Sequence, residues 1–492
     1  MQRHTGWVIG CAIGVGVMLL GGTTSGHTAI ASRFTYNEHL FPIFQRQCGG
    51  CHVEGGVAPM SLLTYDEAFP WTQSIREEVL GLRMPPWKAE DGFGDFANGH
   101  ILPAHEMDMI LEWSSGGYPQ GPLDQTPTAP TPTDDWTLGT PTLELTPPEP
   151  FTIDASTNET VRYFVLPTDV GGDRWVTGVD VIPGSRAVVR HVSVYIDTSG
   201  QARTADDADA GLGFASGFDS AQPIAVWWPG QSAVKLDTVG YALPDGADIV
   251  ARVLYKKTWI TEGQDFTDQT RLGLHLTEDD VSAITHTVLS SPDEPNGRQL
   301  AFSHTLDQEV SLLGLLPEIE IEAVKLQIEG VLPDGTRQPL LQIHEPDLGW
   351  PTRYWLDGPR VLPSGSQIEV TATLRPGADR ETVPSLFAGS APVRLLLEYT
   401  APRSSTTHMA RRLTGIARQA GVACLVAVCL TFASCGNPVE VIQVSVNLAI
   451  VNGRIWTGDP ARPWVDALAV TDGRIVAVGT SDAIELLADD AE

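Results

Sequence analysis

Five consecutive residues, Cys48-Gly49-Gly50-Cys51-His52, constrain this 492-residue chain more than any other stretch. Cys-x-x-Cys-His is the attachment signature of c-type haem. Two thiols three residues apart reach the two vinyl groups of one porphyrin, and the adjacent histidine is carried beneath the iron. The expectation is therefore one covalent haem c, linked to Cys48 and Cys51, with His52 as its proximal ligand. A structural zinc would need two further thiols or imidazoles at ligand spacing, and the chain has no second Cys-x-x-Cys. A thioredoxin-like pair belongs between a strand and a helix, whereas the flanks here read as helix and loop.

Those flanks predict a small all-α haem domain over residues 32–118. Phe41, Phe44 and Cys48 share one helix face. Trp71, Ile75, Val79 and Leu82 repeat at helical spacing. So do Met107, Ile110, Leu111 and Ser114, after Pro103 and before Gly116-Gly117. For the sixth iron ligand, a thioether favours the reduced state and raises the potential. Met84, held in Arg83-Met84-Pro85-Pro86-Trp87, is the expected donor, with Met60, Met107 and Met109 as rivals. Met107 lies on the apolar face and reads as core.

The N-terminus predicts export. Arg3 supplies positive charge, residues 7–20 are apolar, and Ala29-Ile30-Ala31 is a small-x-small cleavage site, giving a signal peptide over 1–31. The apolar run is short of the ~20 residues a membrane span needs. The six cysteines are Cys11, Cys48, Cys51, Cys424, Cys429 and Cys435. Between residues 32 and 408 only the close pair remains, so no disulfide framework supports the body. A periplasmic or other extracytoplasmic location is expected. The formal net charge of -30 repels phosphates and argues against nucleic acid as a partner.

From 119 to 150 the chain is rich in proline and threonine and predicts an extended linker. Beyond it, short alternating runs are punctuated by Pro183-Gly184, Pro244-Asp-Gly, Pro333-Asp-Gly and Pro363-Ser-Gly. Two antiparallel β-sandwiches are expected, over 151–276 and 277–402.

Several segments carry a resemblance: Leu62-Leu-Thr-Tyr-Asp, Ile75-Arg-Glu, Met84-Pro-Pro-Trp, Arg162-Tyr-Phe-Val-Leu-Pro, Val188-Val-Arg-His-Val, Tyr255-Lys-Lys-Thr-Trp and Leu332-Pro-Asp-Gly-Thr-Arg. In order and wording, residues 34–400 resemble bacterial proteins that join a cytochrome c-like domain to a copper type II, ascorbate-dependent monooxygenase-like domain. The resemblance implies two jelly-roll sandwiches, each with one copper, that hydroxylate carbon. The copper motifs depart from that pattern. Arg190-His191 stands in place of a His-His pair, and Leu254 in place of the histidine before Tyr255. Glu318-Ile319-Glu320 replaces His-x-His, and no methionine occurs near Val393-Arg-Leu-Leu-Leu-Glu-Tyr399. A redox copper needs about three imidazole or thioether donors together, so copper is not expected. His275, His286, His304 and His344 each lack a second histidine nearby and read as packed or surface residues. Glu318 and Glu320 could hold a hard cation.

After residue 402 the character changes. Met409-Ala-Arg-Arg is a fresh positive start, residues 421–432 are apolar, and Phe432-Ala-Ser-Cys435 resembles a lipobox with Cys435 acylated. Residues 403–435 thus read as a second signal, and either apolar segment could tether the protein to a membrane. Residues 436–492 resemble the opening strands of an amidohydrolase, whose metal-binding His-x-His is missing here. The expectation is that two neighbouring reading frames have been joined.

The whole reads as an exported haem protein that transfers single electrons to or from a redox partner protein, with a degenerate monooxygenase-like module as scaffold or docking unit. No residue is assigned a catalytic role. A monooxygenase fed by the haem and a non-enzymatic haem sensor are the alternatives.

Overall fold

The computed structural model describes residues 31–401, apart from 220–221, 382–384 and 387–388, and shorter stretches between 448 and 484. Residues 1–30 and 402–447, with the expected export signal and the lipobox-like Cys435, lie outside the described residues. The chain divides into two compact units, Met1–Ala410 and Arg411–Glu492.

In the first unit, four sheets share two apolar cores. One sheet runs in the order β3 (Glu159–Pro167), β8 (Asp248–Lys256), β5 (Val189–Asp197), β6 (Pro223–Trp227). A second runs β1 (Leu143–Leu145), β10 (Arg271–Thr277), β4 (Arg174–Ile182), β7 (Val239–Leu243), β11 (Ser282–Ala283). Val192, Ile249 and Val253 of the one meet Val176, Leu243 and Leu272 of the other. The strand β8 is buried on both faces: Ile249, Ala251 and Val253 enter this core, while Val250 packs under α5 (Gln201–Ala208) with Ala202 and Phe214. That is why it reads as a continuous apolar run rather than an alternating one. A ribbon of β2 (Phe151–Ile153) and β9 (Phe266–Asp268) completes the pair.

The second core lies between two four-stranded sheets. Their orders are β12 (Thr285–Ser290), β19 (Val393–Thr400), β14 (Val310–Ile319), β17 (Tyr354–Leu362), and β13 (Gln299–Thr305), β18 (Gln367–Leu374), β15 (Ala323–Val331), β16 (Arg337–His344). The connectivity is nested, with first strand beside last and second beside second-to-last. In β18 the alternation of Ile368, Val370, Ala372 and Leu374 with polar residues puts one face on the core. Each buried Val, Leu or Ile contributes about 1.5–3 kcal/mol.

The expected small all-α cytochrome c-like domain followed by two jelly-roll sandwiches is corrected by this architecture. Among the described residues, 39% are strand against 14% helix, and no all-α domain stands apart. The helices α1 (Phe41–Gln47), α2 (Tyr65–Ala68), α3 (Thr72–Leu80) and α4 (Ala104–Ser115) have 7, 4, 9 and 12 residues. Helices this short depend on tertiary packing. They gather around Tyr36, Leu40, Phe44, Ile110 and Trp113. Between α3 and α4, however, the chain leaves the helices and crosses the second sheet pair. Trp87 and Ala89 are part of that pair's core, Ala89 bridges to Ile343, and Phe96 bridges to Leu356. Asn98 donates from Nδ2 to the Arg353 carbonyl at 2.7 Å and accepts from the Trp355 N–H at 2.9 Å. The helices are thus one flank of a larger β body.

Within the segment read as an extended linker, several contacts to the first sheet pair are made. Thr137 Oγ1 and the Leu138 N–H both donate to Asp180 at 3.0 Å, Arg271 covers the Trp136 ring, and residues 143–145 form β1.

In the second unit, β20 (Leu448–Ile450), β23 (Ala467–Thr471) and β24 (Arg474–Gly479) form one sheet, and β21 (Ile455–Trp456) pairs with β22 (Trp464–Val465). Ala467, Ala469 and Ile484 form its small core.

Candidate cofactor site

The Cys-x-x-Cys-His segment continues the winding of α1. A π-helical turn, Tyr36–Leu40, runs directly into the helix, and Pro42 sits in its first turn. Phe44 packs edge-on to Trp113 and fixes the helix face. At the C-terminus the Cys48 and Gly49 N–H groups donate to the Phe44 carbonyl at 2.9 and 2.7 Å. The Cys51 and His52 N–H groups then donate to the Cys48 carbonyl at 3.1 and 2.8 Å. This turn places Cys48, Cys51 and His52 on the wall of one cavity.

The two glycines are required by close approach. A Cβ on Gly49 would lie 2.7 Å from the Gln45 carbonyl oxygen, and one on Gly50 would lie 2.3 Å from the Cα of Gly230. Gly50→Ala is therefore expected to push the loop off the sheet module. A loss of about 1–3 kcal/mol in chemical denaturation is the expected outcome, the usual cost of overpacking.

Residues 53–61 loop back over the histidine. Its Nδ1 lies 3.1 Å from the Met60 carbonyl, to which the ring donates, and the Leu62 N–H donates to the His52 carbonyl at 3.1 Å. The loop is anchored by Tyr36, whose hydroxyl donates to the Leu62 carbonyl at 2.8 Å. A side-chain cap of α2 follows, in which the Glu67 N–H donates to Thr64 Oγ1 and that hydroxyl donates to Glu67 Oε2. With Nδ1 committed to a carbonyl, Nε2 is the nitrogen left to coordinate a metal, an arrangement typical of ligating histidines. Burial lowers the His52 pKa, against the opposing hydrogen bond to Met60, which favours the neutral ring a metal requires.

The cavity measures about 390 Å³, within the ~300–1,000 Å³ of cofactor and ligand clefts. Apolar side chains dominate its walls, among them Phe44, Val57, Leu62, Ile75, Val79 and Ile110. Met60 and Met84 both line it, and Met84 is 41% exposed. Met107 lines an adjoining cleft of about 240 Å³, and Met109 packs on the helical cluster. Burial pushes the Cys48 thiol up to about 12, helped by Cys51 and Glu106, and pushes the Cys51 thiol up to about 12 against the pull of Arg190. Both sulfurs are protonated thiols at neutral pH, unlike the thiolates of redox-exchange pairs.

One wall was invisible in the sequence. Arg190 of β5 and the loop residues Trp228, Pro229, Gly230, Asp347 and Trp350 line the cavity from the side of the sheet module. Cys51 Sγ lies 3.0 Å from the Pro229 carbonyl. The Gly49-Gly50 pair signals a close approach, but nothing local names its partner near residue 230.

The positions of the absent copper motifs are filled by other chemistry. His191 is 4% exposed, and its pKa is lowered to about 3 by burial and by Arg252. Tyr255 donates its hydroxyl to Asp268 Oδ2 at 2.9 Å. Glu318 pairs with Arg394 at 2.8 Å and accepts from the Leu386 N–H at 2.7 Å. Glu320 pairs with Arg380 and Arg394. These guanidinium contacts occupy both carboxylates. His275, His286, His304 and His344 stand on four separate strands, β10, β12, β13 and β16. Among the described residues, no three His, Cys, Asp or Glu side chains gather as a metal-holding group.

No family model matches the chain, and no curated protein matches it. Solved structures give faint likenesses. An α-amino acid ester hydrolase is 12% identical over 26% of this chain and 32% of its own, with a TM-score of 0.11. T=1 particles of infectious bursal virus are 12% identical over 57% of this chain and 78% of theirs, at 0.15. A Paenibacillus xanthan lyase is 10% identical over 56% of this chain and 28% of its own, at 0.14. The chain thus spans about a third of the length of the first and less of the last. Likenesses this slight leave the site to be read from its own geometry.

Proposed function

We propose that the protein is an exported c-type haem protein that passes single electrons to or from a partner protein. One observation carries this reading: Cys48, Cys51 and His52 line one apolar cavity, with His52 Nδ1 held by the Met60 carbonyl. The residues fit the group. Cys48 and Cys51 would hold it through thioethers, His52 Nε2 would supply a nitrogen donor to its metal, and Met84 a thioether donor. When bound, haem provides a one-electron couple whose potential is set by axial ligands, burial and hydrogen bonding. The chain supplies the rest. The carbonyl of Met60 orients the imidazole, the apolar walls exclude water, and the loop residues Trp228 and Trp350 line the same cavity as Cys51.

Metal analysis combined with a redox titration tests the proposal. The expected result is one iron and no copper per chain, with a single one-electron transition. Two coppers per chain, or no iron, would overturn it. Met84→Ala is expected to abolish the far-red absorption band of methionine ligation and to lower the potential, while Met60→Leu leaves both unchanged. An unchanged spectrum in Met84→Ala would remove Met84 from the ligand set.

A further inference from the structure

On its sheet side, the cavity that holds the thiols carries hydrogen-bond donors without partners. Arg190 is the extra residue of a β-bulge: Val189 pairs with Tyr255 and His191 with Leu254, and such a bulge re-aims the side chain between them. That side chain lines the cavity and its Nε is buried. Among the described residues, no hydrogen bond or ion pair reaches its guanidinium. Trp228, 1% exposed, lines the same cavity, and its indole Nε1 is buried with no protein hydrogen-bond partner. Trp350 packs on it with ring centroids 5.4 Å apart, and its Nε1 is unpartnered too. A buried polar group left unpaired is costly, and a charged one more so. Such groups gathered on one cavity are a reason to look for a ligand.

The chemistry of the walls selects its class. A guanidinium and an indole N–H can only donate, so the missing partner is an acceptor. The planar guanidinium matches the paired oxygens of a carboxylate. Other charged groups on or near the walls are engaged. Arg46 pairs with Glu106, and Arg83 Nε pairs with Glu78 at 2.8 Å. Asp347 accepts from the Gly349 N–H at 2.9 Å. Glu159, whose charge also acts on Arg190, pairs with Lys256 at 2.7 Å. The rest of the lining is largely apolar, with Phe44, Val57, Ile75 and Ile110 among its residues. An inorganic ion would leave that surface uncovered, whereas a carboxylate on an apolar body meets both demands.

We propose that the Arg190 guanidinium and the indole N–H of Trp228 form a carboxylate-binding site on the sheet side of this cavity, for an organic acid with an apolar body. The carboxylate has two sources. One is the prosthetic group itself, since haem carries propionates, and this source rests on the haem reading. The other is a free acid that enters the same cavity, which needs no pigment. In both cases the sheet module, and not the helices that bear the thiols, supplies the partner of the anion.

A crystal structure of the full-length protein and a melting titration test the site. A porphyrin carboxylate within hydrogen-bond distance of Arg190 and Trp228 Nε1 assigns the first source. The midpoint potential should then be flat with pH in wild type and pH-dependent in Arg190→Leu, where a buried carboxyl deprived of its cation titrates at a raised pKa. Arg190→Lys should restore the flat profile, and a profile unmoved by Arg190→Leu would overturn the proposal. With the porphyrin carboxylates elsewhere, or with no pigment bound, benzoate is the probe and benzyl alcohol its uncharged control. Benzoate should raise the melting temperature saturably, as does any ligand that binds only the native state, and benzyl alcohol should not. Arg190→Leu should abolish that rise. No rise, or an equal rise in Arg190→Leu, overturns the proposal, as does a crystal in which Arg190 pairs with Asp347 or Glu159. Benzoate seen at soaking concentration without a saturable melting shift marks an adventitious additive only and overturns it as well. A protein without covalent pigment refutes the haem reading alone, because the benzoate titration still decides the site. Should Arg190→Leu fail to fold, the crystal and the wild-type comparison of benzoate with benzyl alcohol decide between the same outcomes.

Discussion

Replacing Cys48 and Cys51 together with alanine is expected to leave a colourless denatured polypeptide, a complete loss of covalent pigment. On the proposed reading, thioether bonds to these two thiols are the covalent link between chain and pigment. Both thiols line the cavity, and their turn is fixed by the Cys48 carbonyl, which accepts from the Cys51 and His52 N–H groups. Each single variant should retain one thioether, and with it a pigment whose absorption is shifted toward that of a haem with one free vinyl. His52→Ala should give a different result, because the sulfurs remain but the imidazole held by the Met60 carbonyl is gone. The measurement is the haem spectrum of denatured, solvent-extracted protein for each variant. Extractable pigment in wild type and double variant alike would remove the thiols from the account.

The second large effect lies in the seam between the sheet pairs. Glu398, fully buried, approaches Arg353 Nε at 3.1 Å and His286 Nε2 at 3.1 Å, and accepts from the Tyr241 hydroxyl at 2.5 Å. Arg353 also donates to the Ile224 and Pro223 carbonyls at 2.6 and 2.5 Å. One guanidinium thus joins β6 of the first pair to β19 of the second. Removing one partner of a buried pair leaves an uncompensated charge, so Arg353→Leu is expected to cost about 3–5 kcal/mol in chemical denaturation. The double variant Arg353→Leu with Glu398→Leu should recover part of that loss, because no charge is stranded. Burial alone would raise the Glu398 pKa, but Arg353, His286 and Tyr241 together hold it below the usual carboxylate value. A depressed folded pKa contributes stability above the unfolded value of about 4.3 and loses it as pH falls through the folded one. Acid titration of wild-type stability should therefore fall below about pH 4.3, and the double variant should lose that part of the slope.

How much of this was legible in the sequence depends on how local each cause is. The motif at 48–52 carries its chemistry in five positions, and Ile75, Val79 and Ile110 show their helical spacing directly. Turn residues are equally local: Pro333-Asp-Gly joins β15 to β16 and Pro363-Ser-Gly joins β17 to β18, with Gly335 and Gly365 at the positive φ that such turns need. The expected all-α domain failed because its decisive contacts are remote. Trp87 and Ala89 look like the tail of a helical region, yet they pack among Ile343, Tyr354 and Leu356. The cavity wall from Arg190, Trp228 and Trp350 was hidden for the same reason. Arg394 shows the limit from the other side. As a residue in an apolar strand it announced nothing, and only its contacts with Glu318 and Glu320 explain what fills the place of a metal motif.

The most direct test of the central claim is the intact mass of the denatured protein, purified from a host that matures c-type haem. The account predicts the mass of the processed chain plus one haem, with the added mass mapping to the peptide that carries Cys48 and Cys51. An unmodified mass for that peptide would contradict it.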